Sequence, residues 1–146
     1  MPGSDEGGDA FGSALALADL DRDGYADLVI GARGEDQNRG RVTIVHGAAG
    51  GWRTSGSSFY DQSTKGVPSK AEINDDLGSA LTLLDHDGDG RLDLDVGADG
   101  ENDSGTVTTS RGAGKGFTTK GTTAFGLKTL GIGGRRFAGI GSPLGG

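Results

Sequence analysis

Two acidic stretches, 66 residues apart, constrain the fold of this chain more than any other feature of its sequence. Residues 19–27 and 85–93 both fit the pattern D-x-D-x-D-G-x-x-D. Calcium accepts about six to eight oxygen ligands in a loose geometry, and a tight turn at the glycine directs the alternating carboxylates inward. A solvated acidic turn would explain one such stretch, but two equivalent copies favour a pair of calcium sites.

The same opening occurs in EF-hand loops, which need a glutamate at position 12 and a helix on each side. Position 12 is Ile30 in the first stretch and Val96 in the second. The flanking runs are short, apolar and bounded by glycine, which favours buried strands over helices. Each loop is therefore expected to lie in a β-hairpin, with the ninth-position carboxylates Asp27 and Asp93 closing the site.

The acidic loops belong to a longer internal repeat. Residues 11–33 align with residues 77–99 without a gap, and 13 of these 23 positions are identical. The segment Ile140–Leu144 resembles the opening of a third copy. Fixed-period similarity of this kind indicates a repeat architecture. The predicted organisation is a leading segment at 1–10, two complete units at 11–76 and 77–139, and the start of a third repeat at 140–146.

Several short motifs recur in the same order in both units. The first unit contains Phe11-Gly12, the acidic loop, Gly31-Ala32 and Gly40-Arg41-Val42, and the second contains Leu77-Gly78, its own loop, Gly97-Ala98 and Gly105-Thr106-Val107. In this order the motifs resemble the FG-GAP repeat of integrin α-subunit propellers and their bacterial relatives. The resemblance implies an all-β fold with two four-stranded antiparallel β-propeller blades and the start of a third.

The resemblance also implies how each loop holds an ion. In the family, the carboxylates at positions 1, 3, 5 and 9 and the backbone carbonyl at position 7 bind one Ca²⁺ per loop. Carried over residue by residue, the ligands of the two sites are Asp19, Asp21, Asp23, Tyr25 and Asp27, and then Asp85, Asp87, Asp89, Arg91 and Asp93. The loops at 34–39, 61–76 and 99–104 are expected on the opposite face, which carries ligands in the resembling propellers.

The strands and the quality of packing can also be predicted. The second unit is expected to be the less apolar of the two, because Asp95 replaces an inner-strand valine and Thr109 and Ser110 replace two apolar residues. The predicted strands are 12–18, 26–31, 40–46 and 56–60 in the first unit, and 78–84, 92–97, 105–110 and 122–126 in the second.

Four further residues are candidates for other roles. His46 ends a predicted strand and is expected at the surface, and His86 is expected to point outward from its calcium loop. Trp52 and Phe117 occupy equivalent places in the repeat, which favours packing over ligand stacking. No Gly-x-Ser-x-Gly elbow or nucleophile–base pair is recognisable, so the chain is not expected to be an enzyme.

Composition limits the partners and the setting. The chain has a net charge of −7, and an acidic chain without a basic patch argues against nucleic-acid binding. No apolar run approaches membrane-spanning length. The first residues lack the features of a signal peptide, so the chain is expected either to follow a removed signal or to be cytosolic. Loops of this type favour extracellular or cell-surface use, where calcium is about millimolar and weak sites suffice.

Three functions remain open at this point. The first is a calcium-binding module for extracellular protein or glycan recognition and adhesion. The second is a self-associating structural building block, and the third is a noncatalytic part of a larger secreted enzyme. Propellers close with about four to eight blades. Two blades are therefore expected either to form a homo-oligomer, such as a ring of three or four chains, or to join the remaining blades of a larger propeller.

Overall fold

In the computed structural model of the chain, residues 7–131 are described. They form two four-stranded antiparallel sheets that follow one another along the chain, which confirms the all-β fold and the two blades. Blade 1 contains β1 (Phe11–Ala18), β2 (Asp27–Ala32), β3 (Arg41–His46) and β4 (Arg53–Tyr60). Blade 2 contains β5 (Leu77–Leu84), β6 (Asp93–Ala98), β7 (Thr106–Ala113) and β8 (Gly116–Gly126). The predicted start of a third repeat at 140–146 lies outside the described residues.

Each sheet is a meander in which every strand pairs with the next strand in sequence. The connections between the second and third strands contain a four-residue helical turn, Glu35–Asn38, and a 3-10 turn, Glu101–Asp103. Neither is a regular helix, because Asp36, Gln37 and Asn102 have positive φ angles. Within residues 7–131, the helical segments are too short and too polar to cross a membrane.

The fourth strand of each blade is longer than predicted. The predicted strands began at residues 56 and 122, at or just after Gly56 and Gly121, and glycine in a strand often marks a bulge. In the structure, both glycines have positive φ and lie where the pairing with the third strand shifts its register. A bulge of this kind bends the strand but lets it continue. The outer hairpin of each blade therefore extends beyond the glycine.

The hydrophobic core lies between the two blades. Residues alternate sides along a strand, so one face of each sheet points into the core. The two blades contribute similar numbers of aliphatic side chains, and Val29 and Leu94 are completely shielded from solvent. The buried members of this core are Leu20, Val29, Val42, Ile44, Tyr60, Leu77, Leu94, Val96 and Ala98.

Two glycines let the backbones of the blades touch. A Cβ added at Gly31 would lie 2.1 Å from the carbonyl oxygen of Gly78, far inside any normal contact. Ser13 donates a hydrogen bond from Oγ to the same carbonyl at 3.2 Å. Gly40 also forms a parallel bridge with Leu77, the first residue of β5. The recurring Gly motifs of the sequence are thus the points of closest approach between blades.

Asp95 stands where blade 1 has Val29, but it does not weaken the core. Val29 points from blade 1 into the core, so its equivalent on blade 2 points away from blade 1. Asp95 accepts hydrogen bonds there from His86 Nε2 at 2.9 Å and from Thr109 Oγ1 at 2.6 Å. The carboxylate is therefore paired on the outer face of blade 2 rather than buried among aliphatic side chains.

Equivalent positions of the two blades face opposite ways relative to the core, and this gives the two equivalent aromatic residues different surroundings. Phe117 packs against the core from blade 2, as predicted. Trp52 does not, because it is 51% exposed. The core-facing side of blade 2 corresponds to the outer side of blade 1, so equivalent residues of the two repeats have different surroundings.

Candidate metal centres

The two acidic loops occupy the same place in their blades, between the first and second strands. Each loop reverses direction through residues in the left-handed region. Arg22 has φ 62° and Gly24 has φ 91°, and their equivalents Gly88 and Gly90 have φ 76° and 82°. Glycine adopts this conformation without steric cost, which explains why the sixth position of both loops is glycine.

In the first loop, backbone N–H groups hold the carboxylates at the centre of the turn. Asp19 accepts hydrogen bonds from the N–H groups of Asp23 and Gly24, at 3.0 and 2.9 Å. Oxygen atoms of Asp19, Asp21 and Asp27 all lie within 4.8 Å of one another. The loop therefore assembles three of its four predicted carboxylates, and Asp23 lies outside this group.

The second loop repeats the arrangement with one difference. Asp85 accepts hydrogen bonds from the N–H groups of Gly88 and Gly90, at 2.7 and 2.9 Å. Here the three carboxylates within 4.8 Å of one another are Asp85, Asp87 and Asp89. Asp93, the equivalent of Asp27, lies outside the group.

The ninth-position carboxylates anchor the loops to the sheets. Asp27 is completely buried and accepts hydrogen bonds from the N–H groups of Leu20 and Gly47, both at 2.9 Å. Asp93 is equally well buried and makes the same contacts with the N–H groups of His86, at 3.0 Å, and Gly112, at 2.9 Å. Each carboxylate thus joins the start of its loop to the end of the third strand.

His46 is buried, so its predicted surface position is wrong. Its side chain lies beside Asp27, with Nδ1 3.1 Å from Oδ1. The equivalent residue of blade 2 is Arg111, whose Nη1 lies 3.4 Å from Oδ2 of Asp87. A basic residue at equivalent positions of the third strand in both units was a signal in the sequence that this position contacts the acidic loop, although the two residues contact different carboxylates. His86 is 38% exposed at its side chain, in keeping with its predicted outward direction.

The donor set fits a hard cation. Two ligands of one Ca²⁺, each about 2.3–2.6 Å from the ion, can lie no more than about 5 Å apart. Both carboxylate groups meet this limit, since all three oxygens lie within 4.8 Å. The side-chain donors are oxygens alone, which suits calcium rather than a metal that prefers nitrogen or sulfur.

The predicted carbonyl ligands lie in the same turns. The N–H groups of Tyr25 and Arg91 donate to Asp23 Oδ1 at 2.9 Å and to Asp89 Oδ1 at 2.7 Å. These bonds fix the peptide group that leads into the seventh position of each loop. The loops also touch each other, because Arg22 donates a hydrogen bond to the carbonyl oxygen of Gly90.

A second acidic group lies away from the metal loops, where the segment 61–76 crosses from blade 1 to blade 2. Gln62, Asp75 and Glu101 are all buried there, and the amide of Gln62 donates to the carboxyl group of Glu101. Burial, together with the negative charge of Asp75, raises the pKa of Glu101 to about 7. Burial also raises the pKa of Asp75. A proton is therefore retained on this pair near neutral pH.

The protonation of Glu101 gives a prediction about pH. The native chain holds this proton up to about pH 7, whereas an unfolded chain releases it near the ordinary pKa of glutamate. The stability that it contributes is complete below the ordinary pKa, declines as the pH rises, and is lost above pH 7. In urea unfolding with EDTA, we expect the wild type to lose stability relative to Glu101→Gln between pH 5 and pH 8. Parallel pH curves for the two proteins would contradict the assignment.

A groove of about 500 Å³ lies at the outer ends of the blades, between β4 and β8. His46, Tyr60, Ser110 and Phe117 contribute to its walls. The Tyr60 hydroxyl is buried and has no hydrogen-bond partner within residues 7–131, and burial raises the pKa of this hydroxyl. Ser110 instead bonds to Thr122, at 3.2 Å between the hydroxyl oxygens. The groove thus combines aromatic walls with a hydroxyl group that lacks a partner.

Comparison with known proteins agrees with the resemblance that the repeated motifs indicate. The FG-GAP repeat matches residues 11–45. Phosphatidylinositol-glycan-specific phospholipase D of Rattus norvegicus is 38% identical over 92 residues, which cover 60% of the chain and 11% of that protein. Integrin alpha-X of Homo sapiens is 40% identical over 93 residues, which cover 62% of the chain and 8% of that protein. Integrin alpha-IIb of Homo sapiens is 39% identical over 94 residues, with coverages of 63% and 8%. The matched part of the chain thus spans about a tenth of the length of these relatives.

Proposed function

Because the chain is an FG-GAP repeat module related to integrin α chains, we propose that it is a calcium-stabilised, noncatalytic module that recognises a protein or glycan outside the cell. One observation carries the calcium part of this proposal. In each loop, three carboxylates lie within 4.8 Å of one another and are held in place by backbone N–H groups. The related integrin α chains and the recurring order of the motifs support the recognition part.

In this proposal the ions act on the fold rather than on a substrate. The two loops contain eight of the 21 acidic residues of a chain whose net charge is −7. Like charges at this distance repel, and a divalent ion in each loop offsets that repulsion. Since each loop connects two strands of its blade, an ion bound there ties those strands together. Binding only the native state then stabilises the fold by mass action.

Isothermal titration tests the calcium sites directly. We expect two equivalents of calcium per wild-type chain, and about one equivalent for Asp21→Ala and for Asp87→Ala. Asp36→Ala removes an exposed carboxylate outside the loops and should retain both sites. At a free calcium concentration ten times the dissociation constant, each site adds about 1.4 kcal/mol of stability. No calcium-dependent heat and no change of melting temperature with EDTA would overturn the proposal.

Recognition is proposed for the loops opposite the calcium sites. Polar residues with left-handed backbones are concentrated there, at Asp36, Gln37, Asn38, Asn74 and Asn102. Backbone conformations of this kind are more common at binding sites than elsewhere, and loops on a rigid sheet often carry binding residues. Weak calcium sites suit an extracellular setting, where calcium is about millimolar, and this supports an extracellular or cell-surface location.

The similarity to a phospholipase supports a second candidate function. The chain matches 11% of that enzyme, so a module of this kind occurs within a larger catalytic protein. In this alternative, the chain would be a noncatalytic part of a larger secreted enzyme. Expression with its neighbouring coding sequence separates the two candidates, because a hydrolase domain joined in frame would favour the enzyme and its absence would favour the recognition module.

A further inference from the structure

The two outer faces of the molecule are chemically different. On blade 2, Leu81 and Leu83 point toward blade 1 and pack against the core. Their equivalents in the repeat, Leu15 and Leu17, point away from blade 2 and are 57% and 58% exposed. The two leucines of the first strand are therefore covered in blade 2 and exposed to solvent in blade 1.

The apolar surface around these leucines continues across all four strands of blade 1. Cross-strand pairing places Leu15 opposite Ile30 and Leu17 opposite Leu28, and the pairing then continues to Val45 on β3 and, through Thr43, to Phe59 on β4. None of these residues carries a charge, although the Arg41 guanidinium lies 4.7 Å from the centre of the Phe59 ring at the edge of the surface. We define the leucine face as Leu15, Leu17, Leu28, Ile30, Val45 and Phe59. Leu15, Leu17 and Phe59 are its exposed members, whereas Ile30 and Val45 are each only 5% exposed.

The outer face of blade 2, which points away from blade 1, carries a group of polar side chains. His86, Asp95 and Thr109 form a hydrogen-bonded group there, with His86 Nε2 2.9 Å and Thr109 Oγ1 2.6 Å from the Asp95 carboxylate. The residues of blade 1 at these three repeat positions are Leu20, Val29 and Ile44, which belong to the core. Blade 2 therefore lacks the aliphatic surface with which blade 1 covers Leu81 and Leu83.

This difference argues against the ring of three or four chains that the sequence suggested. A head-to-tail ring requires the leucine face of one copy to cover the outer face of blade 2 of the next copy. That contact would bury the Asp95 carboxylate and His86 against aliphatic side chains, and burying charged groups without new partners is costly. The inner face of blade 1 is not available either, since blade 2 already covers it.

We propose that the leucine face is the docking surface for a second copy of this chain, which joins it leucine face to leucine face about a two-fold axis. Within residues 7–131, this sheet face exposes Leu15, Leu17 and Phe59, and a two-fold contact places the same surface on both sides. The polar group His86–Asp95–Thr109 stays in solvent in both copies. Self-association then ends at the dimer.

The size of the face limits the strength of the dimer. Four strands spaced about 4.8 Å apart and about seven residues long cover roughly 450 Å² on each partner. Because part of this face is already shielded, the total buried area is at most about 900 Å², which is below the range of stable interfaces and within that of weak ones. A dimer that forms in the micromolar range is therefore expected.

Sedimentation velocity over about 1–200 µM, in buffer with millimolar calcium, tests this proposal with the full chain. We expect a mass that rises with concentration from one chain to two and no further. Leu15→Asp and Leu17→Asp should each remain monomeric, with at least a tenfold weaker association. Leu84→Asp is the matched control, because Leu84 is 54% exposed on the outer face of blade 2 and should leave the dimer unchanged.

Two results would overturn the proposal. The first is a mass of three or four chains that Leu84→Asp disrupts, since it would show head-to-tail contacts through blade 2. The second is a wild-type monomer at 200 µM, which would mean that another protein or an additional blade covers the leucine face. If an aspartate variant fails to fold by circular dichroism, Leu17→Thr replaces it, because threonine is less apolar but favours strands.

Discussion

Replacing Asp27 with alanine is expected to lower the free energy of unfolding by about 4 kcal/mol, even without calcium. Asp27 is completely buried and accepts hydrogen bonds from the backbone of Leu20 and Gly47, and it contacts the His46 ring. Alanine would leave all three groups buried without a partner. Each unsatisfied buried donor costs about 1–3 kcal/mol, and bonds to a charged acceptor lie at the upper end.

Urea unfolding in EDTA separates this effect from calcium binding. Asp23→Ala is the matched control, because Asp23 is another carboxylate of the same loop but is exposed, and its side chain accepts a hydrogen bond from the N–H group of Tyr25 within the same turn. We expect a loss below about 1 kcal/mol for this variant, since water can replace a bond at the surface. If the two variants were equally stable in EDTA, Asp27 would not be the anchor that joins the loop to the third strand.

Replacing Gly31 with alanine is expected to cost about 3 kcal/mol, at the upper end of the usual range for overpacking. The new Cβ would lie 2.1 Å from the carbonyl oxygen of Gly78 and 3.0 Å from its carbonyl carbon. Both atoms belong to the backbone, so no side chain can rotate away to relieve the contact. The blades would have to separate, and core residues such as Val29 and Leu77 would lose packing contacts.

Gly50→Ala provides the control for the loss of glycine itself. An added Cβ at Gly50 would meet no atom within 4 Å. The free energy of unfolding of this variant should therefore stay within about 0.5 kcal/mol of the wild-type value. The midpoint of urea unfolding measures both variants. Equal midpoints for Gly31→Ala and the wild type would mean that the blades do not approach each other as closely as the structure indicates.

The hairpins and the acidic loops could be predicted because their causes are local. Alternating carboxylates, the glycine at the sixth position and the short apolar flanks all act within one hairpin. The predicted inner strands therefore agree with β1, β2, β5 and β6 to within one residue. The outer strands were predicted less well, since the bulge at Gly56 depends on pairing with a neighbouring strand.

The surroundings of single residues could not be predicted, because sequence repetition does not repeat the environment. Trp52 and Phe117 are equivalent in sequence, but Phe117 faces a neighbouring blade and Trp52 does not. Asp95 lies on an outer face beside His86, whereas its equivalent Val29 is a core residue. The expectation for His46 was wrong because its partner Asp27 lies 19 positions away in sequence. Each of these errors arose from long-range packing.

The hydrogen bond from Arg22 to the carbonyl oxygen of Gly90 links the two acidic loops, although they belong to different blades. A loop that tightens around an ion would shift this contact and alter the other loop. Thermodynamic linkage makes such an influence reciprocal, so each ion changes the affinity for the other by the same factor. A calcium titration would then measure a cooperative pair, and a substitution at Arg22 would change the shape of the binding curve without removing a ligand.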